Sequence, residues 1–328
     1  MMWALSQAWR RRCSVVRRRW GAAAVAVVAL LAAMPAIAAE YALMPGQNAV
    51  GENRHYVTKA GDVFADIARR FDVGYTALAA ANPGVDPWVP GAGRRLTIPT
   101  IYILPDAPHR GIVINLGQYR LFYYPPGGDS VRTYPIGLGV IGWKTPLGTT
   151  RVVRKEPNPV WYPPPSIRAQ HPELPAVVPA GPDNPLGAFA LRLGWPNYLI
   201  HGTNKPDGVG RNVSHGCIHL YPEDIAQLFP LVPVGTPVRT VDQPAAATWI
   251  GSELYLEVHP SQKQTEEIDT ERPVTPDPAQ GIRELVTAAA GRYADAVDWD
   301  AVDQAAQQRT GMPIPIAQLS APRLAEDQ

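Results

Sequence analysis

The chain has 328 residues, of which 46% are hydrophobic and 18% charged, with a formal net charge of +1. This composition excludes a disordered or collagen-like polymer, and the length suits two domains or one domain with appendages. Proline is abundant at 36 residues, about twice its usual share; because it lacks a backbone donor, the excess favours strands, loops and linkers over helical bundles.

The first segment reads as targeting. Arg10, Arg11, Arg12, Arg17, Arg18 and Arg19 form a basic n-region, an apolar run from Gly21 to Met34 follows, and Ala36-Ile37-Ala38 is a small-x-small cleavage site. The run is short for a membrane span of roughly 20 residues, so we expect residues 1–38 to be a signal peptide cut near Ala38. Cleavage removes six of the 30 basic residues and none of the 29 acidic ones, leaving 24 against 29 and a net charge of about −5. Such a protein is a poor match for nucleic acid. Cys13 leaves as well, so Cys217 is the single mature cysteine. In a compartment where thiols normally pair, it is either a buried small apolar residue or a thiol kept for reactivity.

Residues 55–99 form a compact unit. Tyr56-Val57 is extended, Ala60-Gly61-Asp62 reads as a turn with Asp62 as helix N-cap, and Val63, Phe64, Ile67, Ala68 and Phe71 repeat at helical spacing. Gly74 is expected to stop this helix and Thr76 to cap a second one running through Ala81. Asn82-Pro83-Gly84 then breaks the chain, and Leu96 to Ile98 closes the unit as a strand. Tyr56-Val57, Gly61-Asp62, Ile67-Ala68, Leu78, Ala81-Asn82-Pro83, Gly93 and Leu96-Thr97-Ile98-Pro99 together resemble a LysM domain. That resemblance implies binding to the N-acetylglucosamine backbone of peptidoglycan or chitin.

The stretch from 110 to 241 reads as β-rich. Gly111 to Asn115 and Tyr119 to Tyr124 are strands around Gly117-Gln118, expected as a two-residue hairpin turn, and Val131 to Leu138 is a third strand. Pro157 to Gly187 is crowded with Pro, Asn and Gly, and reads as a long ordered loop over a site, packed through Trp161, Tyr162 and His171. Tyr198-Leu199-Ile200 is a strand end leading into His201-Gly202-Thr203. A turn-rich stretch then runs to Ser214-His215-Gly216-Cys217-Ile218-His219-Leu220, and Pro222-Glu223-Asp224 opens a helix through Phe229.

Three of the seven histidines fall within nineteen positions around Cys217. A thiol must become thiolate to attack, and a nearby imidazole can take its proton. Gly216 allows close backbone approach, so amides around Gly216 and Cys217 can face a developing oxyanion. Two other readings compete: an inert buried thiol, and a zinc site from His201, His215, Cys217 and His219. Against zinc, His215-x-Cys217-x-His219 on an extended chain would point all three to one side, awkward for tetrahedral closure. That geometry weighs against a metal.

His201-Gly202-Thr203 and Ser214-His215-Gly216-Cys217, with Gly137 to Thr149 and Asn184-Pro185-Leu186-Gly187 upstream, resemble the YkuD-type L,D-transpeptidases. The resemblance implies a β-sandwich-like catalytic domain in an α+β multidomain protein. Cys217 would be its nucleophile and His201 its base, with the Gly202 carbonyl orienting the ring and Gly216 and Cys217 supplying oxyanion amides. Ser214, His215 and His219 would support the loop or bind substrate. It also implies a mechanism that needs no metal or organic cofactor, stem peptides of peptidoglycan as substrate, a periplasmic location, and either an outer-membrane lipoprotein lysine or a second diaminopimelate as acceptor. A hydrolase acting on the same thioester and a non-catalytic wall-binding protein are the alternatives. One departure is visible: relatives of this layout carry arginine where this chain has His219. After Pro237 to Val241, residues 242–328 read as a C-terminal extension, with a strand from Glu253 to His259 and helical segments at Pro276 to Ala294 and Trp299 to Gln308.

Overall fold

The computed structural model describes residues 39–139, 145–214 and 216–319. The expected signal peptide, His215 and part of the Gly137–Thr149 stretch therefore lie outside the described residues. Two short strands come first, β1 (Glu40–Ala42) and β2 (Ala49–Gly51). The 55–99 unit then runs β3 (Arg54–Val57), α1 (Phe64–Arg70), α2 (Tyr75–Ala80) and β4 (Arg95–Ile98), with β3 and β4 antiparallel. Phe64, Ile67, Ala68, Leu78, Leu96 and Ile98 make its core, as the helical spacing predicts. Capping differs from expectation. Val63, not Asp62, is the N-cap of α1, while Asp62 accepts hydrogen bonds from Lys59 N (2.7 Å) and Tyr56 Oη (2.8 Å) and so ties the turn to β3. Gly74 begins α2 instead of ending α1, and Thr76 sits inside α2.

The following elements are β5 (Ile101–Ile103), β6 (Gly111–Asn115), β7 (Arg120–Tyr124), β8 (Ser130–Pro135), β9 (Leu138–Gly139), β10 (Gly148–Pro157), α3 (Pro165–Gln170), β11 (Phe189–Leu193), β12 (Leu199–His201), β13 (Asn212–Ser214), β14 (Ile218–His219), α4 (Pro222–Leu231) and β15 (Pro237–Val241). Nine strands form one mixed sheet in the order β1-β8-β7-β6-β15-β10-β11-β12-β14. Ile112, Leu121 and Tyr134 from one side of this order share a core with Ile200, Ile218 and Leu220 from the other. The sheet must therefore curl around that core, and backbone bonds in both directions between Gly137, just past β8, and His219 of the edge strand β14 tie the two sides together. This is a curled single sheet where a sandwich-like domain was expected. The β6–β7 hairpin spans four residues, not two, with Tyr119 at positive φ. The 157–187 loop is ordered by α3, by paired backbone bonds between Trp161 and Val178, and by buried Asn184, which donates to Pro159 O at 2.8 Å. Tyr162 and His171 are exposed and do not pack as expected.

The remainder is also built. Strands β16 (Ala245–Ile250), β17 (Glu253–Val258) and, after three helices, β18 (Ile314–Gln318) form a sheet. The helices are α5 (Gln262–Asp269), α6 (Ile282–Ala290) and α7 (Trp299–Gln308), and the last two pack on the sheet through Val286 and Val302. Sequence analysis missed β16, α5 and β18.

The 55–99 unit is welded to the curled sheet and not tethered by a linker. Arg69 grips Glu223 with two bonds of 2.7 and 2.8 Å, Tyr221 Oη donates to Val73 O, and Tyr75 N donates to Val209 O. At Gly210, with φ of +85°, an added Cβ would lie 2.4 Å from Gly74 Cα, so these two backbones meet only because both residues are glycine. Asp72, Arg120 and Asp224 are buried in this seam. Burial pushes Asp72 up to about 7 against the pull of Arg120, and pushes Asp224 well above the usual carboxylate range.

Candidate active site

The site is set by one register. Strand β12 runs parallel to β14 with Ile200 opposite Ile218 and His201 opposite His219. The two isoleucines are fully buried in the core, and strand side chains alternate, so both histidines face away from it. Cys217, one step before β14, falls on the same face as His201. The two are offset by two residues along the strands, roughly 6.6 Å of rise. The intervening chain turns through a 3-10 segment at Pro206–Gly208 and returns along β13, which pairs with β9.

His201 is 7% exposed, and its Nδ1–H donates to the Gly202 carbonyl at 2.5 Å. That bond selects the tautomer with a bare Nε2. Burial, reinforced by the nearby His219, lowers its pKa to about 3, so the ring is neutral at ordinary pH. His219 is 4% exposed and burial lowers it to about 4. An added Cβ at Gly137 would fall 2.0 Å from the His219 ring, and Gly208 flanks the same ring. His219 is therefore slotted between two backbones as a packing residue. It does not offer the open cationic surface that an arginine there would.

Burial also pushes the Cys217 thiol up, partly offset by a hydrogen bond to the Leu199 backbone and by Arg192. Its Sγ lies 3.5 Å from the Asn197 carbonyl, toward which it donates. Thiol and imidazole are thus both neutral at rest, so an attack by this thiol would require proton transfer to accompany it.

Gly216 adopts φ of +99°, and its carbonyl accepts from the buried Thr145 hydroxyl at 3.0 Å. In a trans peptide the N–H of Cys217 points opposite to that carbonyl, so Thr145 orients the amide beside the sulfur. Gly202 is buttressed by the Asn184–Gly187 turn: an added Cβ at Gly187 would lie 3.0 Å from Gly202 Cα. Ser214 lies in β13, and His215 is outside the described residues. Among the described residues no three His, Cys, Asp or Glu side chains converge as a metal site. Sequence reasoning held Thr145 only as part of the Gly137–Thr149 resemblance, with no role of its own, and did not single out Arg192 or Glu156. For Arg192 a signal existed, since the alternation Leu191-Arg192-Leu193 puts it on the non-core face.

Comparison with known proteins identifies the family. Residues 109–240 match the L,D-transpeptidase catalytic domain (YkuD), and residues 56–99 match the LysM domain. An Escherichia coli (strain K12) protein named "Probable L,D-transpeptidase YcfS" is 43% identical over 312 residues, covering 91% of this chain and 94% of that protein. "Probable L,D-transpeptidase YbiS" of the same strain is 41% identical over 302 residues, covering 89% and 96%. "Probable L,D-transpeptidase ErfK/SrfK" is 39% identical over 301 residues, covering 88% and 94%.

Proposed function

Because the chain belongs to the L,D-transpeptidase family, we propose that Cys217 is the nucleophile its acyl transfer uses and His201 the base. The observation that carries this reading is the β12–β14 register, with His201 held by Gly202 so that Nε2 is bare. As the Cys217 sulfur bonds to the carbonyl carbon of diaminopimelate in a stem tetrapeptide, His201 Nε2 takes the thiol proton. The oxyanion is met by the Cys217 amide and its neighbour at Gly216. The intermediate collapses, the bond to D-alanine breaks, and the imidazolium returns the proton to the departing amine. An acceptor amine then attacks the thioester, His201 takes one of its protons, and the sulfur leaves to be reprotonated. No step needs a metal or cofactor.

We further assign residues 1–38 to a signal peptide, 55–99 to a LysM module gripping glycan, 110–241 to the catalytic domain and 242–328 to an extension. The location is the periplasm. As acceptor we favour the lysine of an outer-membrane lipoprotein over a second diaminopimelate, because the mature chain's net acidity suits a cationic side chain. Intact-protein mass after carbapenem treatment tests the nucleophile: a single adduct on the wild type and none on Cys217→Ser is expected. Sacculi from a strain lacking such enzymes test the acceptor after complementation. Muropeptides with a lysine remnant support attachment, 3→3 dimers alone overturn it, and tripeptides alone indicate the hydrolase.

A further inference from the structure

The face that carries Cys217 also carries a charged cluster that this reading leaves unused. Strand β10 has a bulge at Val153: Val152 pairs with Leu193, but Arg154 pairs with Arg192 and Glu156 with Ala190. An extra residue in one strand re-aims the side chains beyond it. Here it turns Arg154 and Glu156 to the side already occupied by Arg192 and His201. The next pairing sets Arg192 opposite Leu199, the residue alongside Cys217. Arg192 therefore sits two strands from the nucleophile in the same cross-sheet row, about 9.6 Å between backbones at ordinary strand spacing.

The cluster is built, not incidental. Arg192 Nε donates to Glu156 Oε1 at 2.6 Å, and Arg154 pairs with the same carboxylate. Two guanidiniums sharing one carboxylate leave one net positive charge beside the thiol. Glu156 is the most covered of the three, at 14% side-chain exposure. The Arg192 side chain is 35% exposed, with Nε committed and the outer edge of its fork available. The slotted His219 offers no such contact.

We infer that Arg192, held by Glu156, is the specificity residue that anchors the terminal carboxylate of the leaving D-alanine. This rests on the proposed role of Cys217. The chemistry fits in charge and reach. That carboxylate sits one Cα beyond the scissile nitrogen, and an arginine side chain spans most of the gap between the two strands. Planar guanidinium and carboxylate groups pair with defined geometry. The contact makes the enzyme select donors that end at the fourth residue.

The test uses the full mature chain and two synthetic tetrapeptides, one ending in D-alanine and one in D-alaninamide. Release of the terminal residue in a single turnover with enzyme in excess gives the second-order acylation constant, kcat/KM for the donor half-reaction, for each. The wild type is expected to favour the free acid by about tenfold or more. In Arg192→Gln that ratio should fall toward one, and Arg192→Lys should recover part of it. The influence of Arg192 on the thiol acts on both peptides equally and cancels in the ratio. Alkylation of Cys217 by neutral iodoacetamide reports whether each variant keeps its thiol accessible and its fold intact; if Arg192→Gln does not fold, Arg192→Lys carries the comparison. An unchanged ratio in the variants, or a wild type indifferent to the amide cap, overturns the inference while leaving Cys217 in place. A wild type that releases neither residue overturns the functional reading with it.

Discussion

Two pairs of buried titratable groups divide this molecule. On the active face, His201 and His219 are driven neutral by burial, to about 3 and about 4. In the seam between the LysM match and the curled sheet, burial instead drives the carboxyls Asp72 and Asp224 upward, toward their neutral form. The cause is the same in both, since a low-dielectric interior disfavours charge of either sign. The uses differ. Neutral imidazole keeps a lone pair for chemistry. A neutral carboxyl next to Asp72 and Arg120 lets two acids share a joint without repulsion. Burial is thus a single lever that readies one region to react and lets the other hold.

The largest expected break in this comparison is Cys217→Ser, which removes turnover by at least about a thousandfold while leaving the melting temperature near wild type. Next, His201→Ala should lower thioester formation by roughly a hundredfold or more. His219→Ala should act mainly on stability, because it empties the slot between Gly137 and Gly208. Equal rate losses with no change in melting would show that the two roles are misassigned.

On the seam side, Arg120→Leu should cost about 3 kcal/mol, the usual penalty for stripping a partner from a buried charge. Urea unfolding measures it, and a cost below about 0.5 kcal/mol would mean that the seam carries no strain when Arg120 is lost. The weld also implies that deleting 55–99 does more than abolish binding to sacculi. It uncovers Arg120 and Tyr221, so the remainder should melt at a lower temperature.

The smallest effect is one of sign. The histidines have folded pKa values below the unfolded value near 6.5, so as pH falls from 6.5 toward 4 the unfolded state binds more protons and stability drops. Asp72 is raised, so its contribution is full below about 3.8 and is lost as pH climbs from there through about 7, and Asp224 is raised in the same direction. Between pH about 4 and 6.5 the two effects therefore pull in opposite directions: His219→Asn should remove a loss of stability that appears as pH falls, and Asp224→Asn a loss that appears as pH rises. A change of the same sign in both variants would refute the division.

Much was legible in the chain. The helical face of Phe64, Ile67 and Ala68, the strand into His201, the glycine before Cys217 and proline at the start of α4 are local signals, each settled within a few residues by periodicity, capping and turn chemistry. Caps were read less well. Asp62 and Thr76 have the right chemistry for capping, but Asp62 is claimed by Tyr56 and Thr76 lies against Asp269 across the fold. Strand β16 and helix α5 were passed over because Ala245-Ala246-Ala247 has no alternation and α5 is almost wholly polar.

The sequence by itself determined the order of the modules, the family, and the local surroundings of Cys217, because those depend on residues close together in the chain. Tertiary structure alone decided which side chains share the face with Cys217. That choice rests on strands paired far apart in sequence and on a bulge at Val153 that reverses the side of everything after it. A shift of one residue in any of these registers would send Arg192 or Glu156 to the opposite side of the sheet, and no local pattern records which register wins.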